Sequence, residues 1–72
     1  MAEKLKIYPY EHGFEIAGNR EGLQGLAEVC LALSRLTDEE AKTAANHYHF
    51  ADHMNNAEVG SVPLVILFKP DL

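Results

Sequence analysis

Apolar and polar positions alternate with the period of a strand at both ends of this chain and with the period of a helix between them. In "LKIYPY", Leu5 and Ile7 alternate with Lys6 and Tyr8, a two-residue repeat that predicts a strand. Pro9 lacks an amide donor and marks an edge strand or a strand end. "EHG" supplies a turn, with Gly13 free to take positive φ. "FEIAG" then returns with Phe14 and Ile16 on one face, so the first eighteen or so residues predict a β-hairpin.

"GNREGLQGLAEVCLALSRL" predicts a helix. Asn19 is placed to cap its start, and Glu21 sits where the helix dipole favours an anion. Leu23, Leu26, Ala27, Cys30, Leu33 and Ser34 follow the i, i+3, i+4, i+7 spacing of a buried stripe, which Val29 and Leu36 widen. Gly22 and Gly25 each cost about 1 kcal/mol relative to Ala in a helix interior, so a close approach to the sheet would explain them. "TDEEAKTAAN" opens with a capping box, Thr37 followed three residues later by Glu40, and predicts a short second helix or a bent continuation of the first. "NHYHFA" alternates again, with Tyr48 and Phe50 on one face and His47 and His49 on the other. "DHMNNAEVGS" is rich in turn formers. "VPLVILFK" is an apolar run in which Val65 and Leu67 point opposite to Leu64, Ile66 and Phe68.

The order β-β-α-β-β predicts a single α+β domain over residues 1–72. Its expected form is a four-stranded, mainly antiparallel sheet with one main helix packed on one face. The uncovered face would carry Tyr8, Val65, Leu67 and the histidine pair, and an exposed patch of that kind marks an association surface. A homodimer through the open sheet face, or a complex with another protein, is therefore expected.

Composition narrows the function classes. A chain of 72 residues buries only about 60% of the surface that its unfolded form exposes, so a partner would add to a thin stability margin. The formal net charge is −5, and the six basic residues are scattered, which argues against nucleic-acid binding. The tyrosines near the strands (Tyr8, Tyr10, Tyr48) lack the interleaved basic residues of a base-stacking surface. No apolar run approaches a membrane span, and the start of the chain lacks the apolar core of a secretion signal. The single cysteine forms no disulfide within the chain. A cytoplasmic protein is expected. Cys30 itself is expected to be buried in the helical stripe, without an activating base.

The chemistry that stands out is "HYHFADH", residues 47–53. Two histidines at i, i+2 on a strand project from one face and can share a metal, with Asp52 or His53 supplying a third ligand. His47, His49, Asp52 and His53 are thus the alternative metal candidates. The stretch resembles the HxHxDH signature of metallo-β-lactamases, but the inserted Ala51 makes it HxHxxDH, and so short a chain lacks that fold's distant ligands. The bland reading of half-buried strand histidines is the stronger one. Asp38, Glu39 and Glu40 read first as a solvated helix start. No catalytic residue, cofactor or metal is assigned.

The ordered elements "FEIAGNREGLQGLAEVCLAL", "HYHF" and "GSVPLVILF" resemble small bacterial immunity proteins of the immunity protein 32 type. The matching positions are Gly18, Glu21, Gly22, Leu23, Leu26, Ala27, His47, His49, Gly60, Ser61, Leu64, Val65 and Ile66. The resemblance implies an α+β fold and a non-enzymatic role, the binding and silencing of a cognate toxin. An acidic inhibitor of a basic toxin would be steered to it electrostatically. The expected contact residues are His47, His49, Glu39, Glu40 and Glu58.

Overall fold

In the computed structural model, which describes residues 3–72, the hairpin forms from β1 (Leu5–Tyr10) and β2 (Gly13–Gly18). They pair antiparallel with Ile7 opposite Ile16 and Tyr10 opposite Gly13. The turn differs from the expectation in one respect. The positive φ falls at Glu11, at 50°, rather than at Gly13, because the two-residue loop Glu11–His12 places its left-handed position first.

Helix α1 (Arg20–Ser34) starts where the cap predicts. The Asn19 Oδ1 accepts the Gly22 amide at 2.8 Å and the Lys4 amide at 3.0 Å, so one side chain both caps the helix and ties it to β1. The buried stripe is rotated from the expected one. It runs through the buried Gly22 and Leu33 and the half-buried Gly25, Leu26, Val29 and Leu36, whereas Leu23, Ala27, Cys30 and Ser34 are exposed. The glycines cause the rotation. The helix meets the chain before β1 at its glycine face, where a Cβ on Gly22 would collide with the Lys4 carbonyl. Cys30 is therefore a surface thiol, not a core residue.

The capping box at Thr37 is formed in full. Glu40 N–H donates to Thr37 Oγ1 at 3.1 Å, and Thr37 N–H donates to Glu40 Oε1 at 2.9 Å. It opens only a 3₁₀ turn, Glu40–Lys42, followed by a second one, Ala44–Asn46. β3 (His47–Phe50) and β4 (Leu64–Leu67) then pair antiparallel, His49 opposite Val65.

The four strands do not join into one sheet. Among the described residues they form two separate two-stranded sheets, β1–β2 and β3–β4. The edge of β1 that β2 leaves free is taken by residues 58–62, which run beside it. Glu58 N–H donates to Leu5 O, Val62 N–H donates to Ile7 O, and the Ser61 hydroxyl accepts the Ile7 amide at 3.2 Å. Gly60, at φ 85°, turns this segment, and Pro63 has no amide to extend the ladder, so β4 begins only beyond it. Both sheets still feed one core. Leu5, Ile7 and Phe50 are buried together, with Leu26, Val29, Ala57, Val62, Leu64 and Ile66 packed around them. No described helix is long and apolar enough to cross a membrane.

Candidate functional site

The alternation in β3 divides its side chains as the sequence predicts. Tyr48 and Phe50 share the inner face with Ile66 and Leu64. His47 and His49 share the outer face with their cross-strand partners Leu67 and Val65. The two imidazoles meet edge to face with ring centroids 4.8 Å apart. Val65 and Leu67 are each 49% exposed, so this outer face is an apolar patch topped by two polar rings. Tyr8 is not part of it. It lies in the other sheet, where its hydroxyl donates to Glu15 Oε1 at 3.0 Å. That bond, helped by the carboxylate's charge, pushes the Tyr8 phenol above its usual range.

The rest of the heptad is spent elsewhere. Asp52 and His53 sit on a 3₁₀ turn, Asp52–Met54, past the end of β3. Asp52 Oδ2 accepts the Gly60 amide at 3.2 Å, and its Oδ1 lies 3.9 Å from His53 Nδ1. His47 Nδ1 shares a 2.8 Å hydrogen bond with Asn46 Oδ1. Among the described residues, no group of three or more His, Cys, Asp or Glu side chains is placed to hold a metal. The extra residue, Ala51, is the physical reason. It is buried and ends the strand, so the pair before it and the pair after it belong to different elements.

Of the acidic candidates, Glu39 shares a cleft with Leu67 of the histidine face. The cleft is open, about 740 Å³ in volume, and also lined by Phe68, Lys69 and Asp71, and Glu39 pairs with Lys42 at 3.9 Å. Glu40 is committed to its cap. The Thr37 amide on its carboxylate, with the Thr37 hydroxyl, holds the carboxyl below its ordinary 4.5. Glu58 stands apart, with its backbone bonded to Leu5. The structure thus brings His47 and His49 together, sets Glu39 in the adjoining cleft, and leaves Glu40 and Glu58 in other local settings.

A second feature is marked by no motif in the sequence. A groove separates α1 from β3, lined by Val29, Leu33, Leu36 and Tyr48 in one lobe and by Leu5 and Phe50 in the next. Its volumes are about 460 and 440 Å³. The only available signal was Tyr48, an aromatic at an inner position that the helix does not fully cover.

Residues 14–69 match the model of a family described as immunity protein 32. No curated protein and no solved structure matches the chain.

Proposed function

Because the chain belongs to the immunity protein 32 family, we propose that it silences a cognate toxin by binding it, without chemistry of its own. The family match carries this reading, since it spans α1, β3 and β4 and so includes the whole histidine face. The exposed Val65 and Leu67 supply apolar area for a partner, and His47 and His49 supply polar contacts beside it. Glu39 lies in the adjoining cleft, and Glu40 and Glu58 extend the acidic surface. The net charge of −5 favours a basic toxin and fast association with it. Such a toxin would be met in the cytoplasm.

The test is co-production. A toxin encoded beside this chain is expressed in a bacterial host with and without the protein, and growth is followed. Restored growth together with a complex isolated from purified components is the expected result. A toxin that kills equally in the presence of the protein would sink the reading.

The outer face also favours a second reading, in which two copies pair through Val65 and Leu67. Sedimentation across a concentration series separates a dimer from a monomer, and Val65→Lys should abolish the dimer if that face forms it.

A further inference from the structure

β3 has one edge on β4 and one edge open. The Phe68 amide donates to Asn46 O at 2.9 Å, which sets the phase of the ladder. Asn46, Tyr48 and Phe50 turn their backbone groups toward β4, and His47 and His49 turn theirs the other way. At the far end of the open edge, Asn56 takes the place of a neighbouring strand. Its Nδ2 donates to His49 O at 2.7 Å and its Oδ1 accepts the Ala51 amide at 2.8 Å. Among the described residues, nothing bonds the His47 N–H, the His47 carbonyl or the His49 N–H.

This edge borders the groove under α1. The groove floor carries Val29, Leu33, Leu36, Leu5 and Phe50, and among the described residues the charged side chains that line it are Glu3 and Glu28, with no lysine or arginine. The larger cleft beside Leu67 is different, because it mixes Lys42 and Lys69 with Asp38, Glu39 and Asp71 and pairs four of these five off, Lys42 with Glu39 and Lys69 with Asp71. We propose that the groove receives an extended cationic segment of the toxin, which adds to β3 as a further strand. The open backbone groups supply the register, the apolar floor takes alternate side chains, and the two carboxylates meet the positive charge. At about 3.3 Å per residue, β3 offers room for roughly four residues of such a segment. A second copy of this acidic chain is a poor occupant, since it brings further carboxylates to Glu3 and Glu28. The inference rests on the immunity reading for the identity of the partner.

The experiment titrates isotope-labelled protein with a peptide of about seven residues alternating lysine and valine, and with its glutamate–valine counterpart. The expected result is a set of NMR shifts at Val29, Leu33, His47 and His49, with slowed exchange of the His49 amide, for the cationic peptide alone. Glu28→Lys should weaken binding about tenfold, and Asp71→Lys, in the other cleft, should leave it unchanged. Shifts centred on Leu67 and Asp71, equal binding of the acidic peptide, no binding at millimolar peptide, or groove shifts that depend on protein concentration alone would each overturn the proposal. Growth protection is scored in parallel. Protection by the wild type that Glu28→Lys leaves undiminished overturns the groove and keeps the immunity reading. A wild type that does not protect removes the toxin as occupant, and the titration still decides whether the groove takes a cationic strand.

Discussion

Gly22 in the first turn of α1 stands directly against the backbone carbonyl of Lys4, with no room for a Cβ between them. The contact fixes how the helix lies on the start of β1, and Asn19 reinforces it by accepting the Lys4 amide and donating its own to the Lys4 carbonyl at 3.1 Å. Gly22→Ala should therefore destabilise the protein by about 1–3 kcal/mol, the cost of overpacking against backbone that cannot swing away. Gly25 faces only the end of the Glu3 side chain, which can move. Gly25→Ala should be neutral or stabilising by up to about 1 kcal/mol, through helix propensity. Thermal melts of the two variants check the pair, and equal effects would remove the packing argument.

Ser61 replaces a strand at the edge of β1. Ile7 is 2% exposed, and its amide depends on the Ser61 hydroxyl. Ser61→Ala leaves that donor buried without a partner, at a cost of about 1–3 kcal/mol. The Ile7 amide should also exchange faster relative to its neighbours, which hydrogen exchange by NMR reads directly.

The capping box of Thr37 and Glu40 gives a pH response of known sign. The bound Thr37 amide favours the Glu40 carboxylate, so the folded carboxyl titrates below its ordinary 4.5. The stabilising contribution is complete above that ordinary value and is lost as the pH falls through the lower, folded one. The Thr37 amide resonance should move in this acid window in the wild type. Glu40→Gln, which can still accept the hydrogen bond, should keep the cap and flatten the response.

Cys30 lies on the solvent side of α1. A thiol reagent should label it stoichiometrically in the native protein, at a rate that subdenaturing urea does not change, and without a shift in melting temperature. Labelling that required unfolding would contradict the rotated stripe.

The elements themselves were legible because they depend on neighbours in sequence. The strand alternation at Leu5 and Ile7, the cap at Asn19, the box at Thr37 and Glu40, and the opposed faces of β3 all follow from short-range geometry, and the structure shows each of them. The phase of α1 is not legible in this way, because hydrophobicity points to Cys30 and Ala27, whereas the contact is made by Gly22 and Gly25, which carry no apolar signal at all. The division into two sheets is hidden for a similar reason. Whether a further strand joins β1 depends on a hydrogen-bond contest at one edge, and residues 58–62 hold that edge with backbone groups and one hydroxyl. "HYHFADH" shows both sides of this division. Its first two histidines share a face because a strand has period two, a property of the sequence alone. Their separation from Asp52 and His53 comes from the burial of Ala51 and the turn beyond it, which only the packed chain decides.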